Sequence, residues 1–302
     1  MSTNKPAVIA RIRGGLGNQL FMYAMARRLA QVNDVELVLD GTTGFRGKNK
    51  YARQYMLDRF PISGRLANES ERRDPFHSIR RGVRKWWDKH KAIEHRQYIV
   101  DPGGLDDAIY SLSINKPTTF EGYWQSEDWF SDIAEQIRAE CTPEAPSDDK
   151  NVEMATLIEQ SNAVALHVRF FNDPTQTAQS QQVVDYYTKA IETIRSKVDN
   201  PTFYIFSDQP EKAREILALD ASEVRVVNHN SGDANAHLDI WLMSRCQHFI
   251  TANSTFSWWG AWLGEKPNSV VVSPVFTAAD AFLAWGLPGL IPERWISIGQ
   301  EQ

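Results

Sequence analysis

The chain has 302 residues and a formal net charge of −5. That length suggests two domains of about 150 residues, and the apolar and aromatic content is enough for a real core. The acidic balance argues against nucleic acid as a partner. Cys141 and Cys246 give neither a disulfide framework nor metal-ligand spacing and fit a reducing cytoplasm. No apolar stretch approaches the roughly 20 residues that span a bilayer, and the short polar start, Met1 to Pro6, does not read as a signal peptide.

In chain order, Ala7 to Arg13 alternates as a strand, Gly14-Gly15-Leu16-Gly17 follows, and Asn18 to Val32 reads as a helix before a strand at Val35 to Leu39. The glycines let the backbone turn tightly near a ligand, and the helix N-terminus behind them favours an anion. As a dinucleotide fingerprint the loop fails, because Leu20 stands where the third glycine belongs. Residues 41 to 75 read as loop-rich, with a cationic segment at Arg46, Lys48 and Lys50.

Phe76 to Lys91 has a helical period. It places Phe76, Ile79, Val83, Trp86 and Trp87 on one face and Arg80, Arg81, Arg84, Lys85 and Lys89 elsewhere. Such a helix can lie on an anionic membrane surface as a peripheral contact. The commoner arrangement, and the one expected here, packs the aromatic face on the core. Thr118 to Tyr123 reads as a short strand. Trp124 to Phe130 is a polar-aromatic loop whose rings and carboxylates suit a sugar or a domain interface. A helix follows around Ile133 to Cys141, and Thr142 to Lys150, with two prolines and a charge cluster, reads as the linker. The expected domains are therefore 1–150 and 151–302.

The second half alternates strand and helix: strands at Ala163 to Arg169, Phe203 to Phe206, Val224 to Val227, His248 to Thr251 and Ser269 to Val272, with helices between. That alternation predicts an α/β fold with a parallel, doubly wound sheet. Polar residues fall at three strand ends: Arg169 to Asp173, Ser207-Asp208, and Asn253-Ser254-Thr255. In open α/β sheets ligands bind at that edge. An arginine fork there matches phosphate or carboxylate, although an Arg–Asp salt bridge at an ordinary strand end is the plain alternative. Ser254 and Thr255 open a helix, so hydroxyls and free N–H groups form an anion cradle, which is compatible with simple capping. Asp208 can accept from ribose hydroxyls or a base N–H, or cap the helix after Pro210. His167 can bind a phosphate or hold Arg169 in place. No Asp-x-Asp pair occurs, so a departing diphosphate would be met by Arg169, hydroxyls and helix dipoles and not by a metal ion.

Five motifs together resemble glycosyltransferase family 11, the α-1,2-fucosyltransferases. They are Gly14-Gly15-Leu16-Gly17-Asn18-Gln19-Leu20-Phe21, Glu121-Gly122-Tyr123-Trp124-Gln125-Ser126-Glu127, His167-Val168-Arg169, Phe206-Ser207-Asp208, and the run from Asn253 to Leu263. The resemblance implies a GT-B fold, two Rossmann-like domains facing across a cleft. It implies inverting transfer of L-fucose from GDP-fucose to the 2-hydroxyl of a terminal galactose, without an essential metal or other cofactor. The N-terminal domain would hold the glycan acceptor through Tyr123, Trp124, Gln125 and Glu127. The C-terminal domain would hold the donor through His167, Arg169, Asp208, Asn253, Ser254, Thr255 and Phe256, joined by Asn18 and Gln19 of the glycine loop. A bacterial polysaccharide or O-antigen unit, lipid-linked or not, and a cytoplasmic location fit this reading.

One departure matters. The family usually reads His-x-Arg-Arg-Gly-Asp; here Phe170 replaces the second arginine, and Phe171-Asn172-Asp173 follows. Asp173 is the first candidate for the general base, ahead of Glu127 and Asp185. The lost arginine leaves two other readings open: a weakly catalytic sugar-nucleotide-binding or lectin-like protein, and a GT-B enzyme with another donor.

Overall fold

A computed structural model describes residues 5–46, 53–170, 181–217, 219–275 and 289–299, the side chains of 181 and 182 excepted. The described chain forms two compact units, which part after Cys141; residues 289 and 290 belong with the first. The chain is α/β throughout.

The first unit holds β1 (Ala7–Arg11), α1 (Leu16–Val32), β2 (Glu36–Asp40), β3 (Arg65–Leu66), α2 (His77–Asp88), β4 (Tyr98–Val100), α3 (Asp107–Tyr110), β5 (Pro117–Glu121) and α4 (Ala134–Cys141). Its parallel sheet runs β3-β2-β1-β5-β4. The strand order reverses between β1 and β5, so the loops after those two strands share the ligand-binding edge. β1 is buried at every position, and α1 is buried nearly all round, which is why its sequence lacks a polar face.

The second unit holds α5 (Asp149–Glu159), β6 (Asn162–Val168), α6 (Gln181–Arg195), β7 (Pro201–Ser207), α7 (Pro210–Leu217), β8 (Val224–Val227), α8 (Ala236–Met243), β9 (His248–Ile250), α9 (Thr255–Gly264), β10 (Val271–Val275) and β11 (Ile296–Gly299). Asp148 caps α5 by accepting from the Asn151 N–H at 3.0 Å. The sheet order is β11-β10-β9-β6-β7-β8, all parallel. Read from the other side it is the doubly wound 3-2-1-4-5-6 order, with its switch point between β6 and β9. β6 is central and buried from Ala163 onward, which explains its unbroken apolar run.

Helix α2 overturns the expected packing. Phe76, Ile79, Val83, Trp86 and Trp87 are 52–68% exposed, while Asp88 is fully buried. The reason is electrostatic. Glu121, buried at the end of β5, draws Lys85 (2.9 Å) and Arg81 (3.7 Å) inward. Asp88 binds Lys91 (2.6 Å) and Arg84 (3.5 Å) and accepts from the Gln97 N–H. Buried carboxylates need partners more than an aromatic face needs cover, so the charged side turns in and the apolar side turns out. Strands β3, β4 and β11 escaped the sequence reading; β3, with two residues, is too short to show a period.

Candidate active site

In the first unit the glycine loop turns at Gly14, whose φ of +78° suits glycine. A Cβ there would meet Asn18 Nδ2 at 3.1 Å. Asn18 Oδ1 accepts from Gln125 Nε2 (2.9 Å), joining this loop to the one after β5. Gly122 is required for a different reason: a Cβ would land 1.9 Å from Asp101 Cβ. Asp101 needs that approach because its carboxylate accepts from the backbone N–H groups of Tyr123 and Trp124, at 3.0 and 2.7 Å. Tyr123 remains partly exposed under the Arg13 guanidinium, 4.8 Å from the ring centroid. Glu127 opens a short 3-10 turn.

Gln19 is fully buried; its Nε2 donates to the Gly14 and Gln54 carbonyls and its Oε1 accepts from the Met56 N–H. These bonds brace the glycine loop from its buried side. Trp124 is 1% exposed, edge-on to Phe120 and Trp129. It packs under the loop and offers no face to a sugar. Sequence reading also missed the charge cluster at the ends of β1 and β5. There Glu121 is met by Arg11 (3.3 Å), Arg13 (3.8 Å), Arg81, Lys85 and the Tyr98 hydroxyl. Burial opposes ionisation of Glu121, but the hydrogen bonds from Tyr98 and Lys85 and the nearby cations outweigh it and hold the carboxyl below its usual range. Four cations thus surround this one carboxylate.

In the second unit the predicted residues gather at the switch point. Arg169, just past β6, pairs with Asp208, just past β7, at 3.4 Å. Asp208 also accepts from the Phe170 N–H at 3.0 Å. It therefore fixes the strand end that carries the arginine and does not cap α7. Phe170 is fully buried in the core of this unit. His167 is 3% exposed and tilted against Phe256 at 5.4 Å, and among the described residues its Nδ1 has no hydrogen-bond partner. Burial, then the Arg169 charge, pushes its pKa down to about 3, so the ring is neutral near pH 7. Ser254 caps α9, accepting from the Phe256 N–H at 3.3 Å; Asn253, Ser254, Thr255 and Phe256 all keep some exposed surface.

Residues that the sequence gave no hint of hold these strand ends. Tyr187 Oη donates to the His167 carbonyl (2.8 Å), and Tyr186 Oη to the Thr251 carbonyl (2.6 Å). Both hydroxyls come from α6, so one helix braces the ends of β6 and β9. A second missed group is Asp239, one turn into α8, a helix that packs on α9. It accepts from Asn230 Nδ2 at 3.0 Å, and Asn230 also bonds Asn151. Asp239 keeps part of its surface open, yet desolvation pushes its carboxyl up to about 7. Asp173, the first candidate for the base, lies outside the described residues, as do Lys48 and Lys50; Asp185 stands exposed on α6. Among the described residues no group of three His, Cys, Asp or Glu side chains could hold a metal ion.

The second unit thus brings an arginine, a neutral histidine and a capped helix start together at its switch point, the kind of donor set that anionic groups require. The model of Glycosyl transferase family 11 matches residues 7–297, and the chain belongs to that family. It is 28% identical to an alpha-1,2-colitosyltransferase of Escherichia coli, over 96% of this chain and 98% of the relative. It is 27% identical to the O-antigen biosynthesis glycosyltransferase WbnK of Escherichia coli, over 87% and 92%. It is also 27% identical to galactoside alpha-(1,2)-fucosyltransferase 1 of Lagothrix lagotricha, over 95% and 74%. In structure it is similar to a mutant of Arabidopsis thaliana FUT1 in complex with GDP, with a TM-score of 0.53 and 15% identity over 88% and 70% of the chains. NodZ alpha-1,6-fucosyltransferase soaked with GDP-fucose gives 0.51 and 16% over 86% and 92%. The fold is of the GT-B type, with two Rossmann-like units, as the resemblance implied. The chain is thus a glycosyltransferase with α-1,2-fucosyl- and colitosyltransferases among its relatives.

Proposed function

We propose that this chain transfers L-fucose from GDP-fucose to the 2-hydroxyl of a terminal galactose, with inversion at the anomeric carbon. The observation that carries the reading is Arg169. It stands at the switch point of the second unit, held by Asp208 beside a neutral, buried His167. As the bond from C1 to the diphosphate oxygen breaks, charge grows on the leaving group. An arginine fork fixed in advance stabilises that charge more than it stabilises the bound donor. The N-terminus of α9, with Ser254 and Thr255, adds N–H and hydroxyl donors of the same sign. A neutral His167 donates one hydrogen bond without adding a charge.

The attacking galactose 2-hydroxyl forms the new bond to C1 from the opposite side and gives its proton to a base, for which Asp173 is the proposed residue. Tyr123, Gln125 and Glu127 are the proposed acceptor contacts. The cations around Glu121 suit an acceptor that carries its own phosphates, as a lipid-linked saccharide does. A second donor has its own support: the similarity to an alpha-1,2-colitosyltransferase. Colitose is L-fucose without the 3-hydroxyl, so the same site chemistry serves both sugars.

The test is GDP release from GDP-fucose and GDP-colitose, with and without β-galactosides. Release that needs a galactoside supports the proposal. Acceptor-independent hydrolysis alone, or no turnover with either donor, refutes it and leaves a binding protein or another donor.

A further inference from the structure

Helix α2 wears its apolar face outward. Phe76, Ile79, Val83, Trp86 and Trp87 form one stripe, each more than half exposed. Trp86 and Trp87 meet edge-on at 5.3 Å, and His90 lies beside Trp86. At 100° per residue Arg80 and Lys89 border the two sides of this stripe, and both are exposed. The remaining cations, Arg81, Arg84, Lys85 and Lys91, point inward to Glu121 and Asp88. Residues 76–91 carry six Lys or Arg and one acid, in a chain whose net charge is −5.

We infer that this face docks α2 flat on an anionic phospholipid bilayer. An aromatic stripe edged by cations is the pattern of an interfacial helix: the rings enter the headgroup boundary and the cations meet lipid phosphates. The localised charge decides among occupants. A second copy of this chain would set Arg80 and Lys89 against the same cations of its partner, and like charges repel; an anionic surface attracts them. Among the described residues no helix is long and apolar enough to cross a membrane, so the contact is peripheral. The inference stands apart from the transfer chemistry, which uses other residues.

Flotation of the whole protein with vesicles tests it. Vesicles of phosphatidylcholine containing one-quarter phosphatidylglycerol should carry the protein up, and pure phosphatidylcholine should not. Raising salt from about 0.05 to 0.5 M should release it, because screening shortens the attraction. Lys89→Glu should weaken partition about fivefold or more. The pair Trp86→Ser and Trp87→Ser should weaken it at least tenfold, with an unchanged melting curve. Val152→Ser, at an exposed valine of α5, should bind as the native chain does. Equal partition into both kinds of vesicle, or into neither, would overturn the inference. So would native-like binding by Lys89→Glu, or a dimer in sedimentation that the tryptophan pair abolishes.

Discussion

Arg169→Ala isolates the leaving-group charge. The side chain is 21% exposed, and its partner Asp208 is 13% exposed and anchored by the Phe170 N–H. Truncation removes the donor fork and leaves a mostly buried carboxylate that still accepts one backbone hydrogen bond. The stability cost should be about 1–3 kcal/mol. The catalytic cost should be far larger, because the contact strengthens only as the diphosphate departs. Losing one such donor costs about 2.7–4 kcal/mol of barrier, or roughly 10²–10³ in kcat. Phe170, the next residue, is apolar and buried in the core, so it cannot share that charge. Arg169→Lys should recover little, since a point charge does not replace a bidentate fork. Steady-state kinetics with GDP-fucose, beside denaturant melts, provide the comparison. A folded Arg169→Ala variant with kcat within a few-fold of the parent would refute the phosphate role.

Phe170→Leu should cost about 1 kcal/mol in a melt and change kcat only a few-fold, as core swaps do. Gly14→Ala places a Cβ at a φ of +78° and against Asn18; expect a loss of roughly 1–2 kcal/mol and a fall in kcat. His167 has its folded pKa at about 3, below the unfolded 6.5. Its stability contribution is therefore full above pH 6.5 and is lost as pH falls toward 3, at up to about 1.4 kcal/mol per unit. Asp239 runs the other way: its folded pKa of about 7 exceeds the unfolded 3.8, so its contribution is full below pH 3.8 and lost as pH rises through 7. Melts between pH 4 and 7 should show the difference between native and His167→Gln growing as pH rises to 6.5, then levelling; a difference independent of pH would contradict the buried neutral histidine. Because the sequence has no Asp-x-Asp pair, transfer should persist in excess EDTA; loss restored by Mn²⁺ would overturn the metal-free reading.

Where period and polarity ran together, the sequence was enough. The β6 run ends in His167 and Arg169, the β7 run ends in Asp208, and Ser254 caps α9; the structure arrays all three strand ends on one edge. Reading failed where a residue's task depends on partners distant in the chain. Gln19, in the first turn of α1, gives no sign in the sequence that its amide meets Gln54 and Met56. Trp124 looks like a sugar platform until Phe120 and Trp129 close over it. Helix α2 shows the helical period plainly, but the period does not say which face turns inward. That choice belongs to Glu121, more than thirty residues away and itself an unremarked strand end. Asp239 is silent in sequence because its raised pKa comes from burial.

The most direct test of the account is the NMR spectrum of the product formed from GDP-fucose carrying ¹³C at the sugar's C1 and a β-galactoside acceptor. The predicted product has an α-configured fucose C1 coupled through the new linkage to C2 of galactose. A β-configured product, a bond to any other galactose carbon, or free fucose as the only labelled species would contradict it.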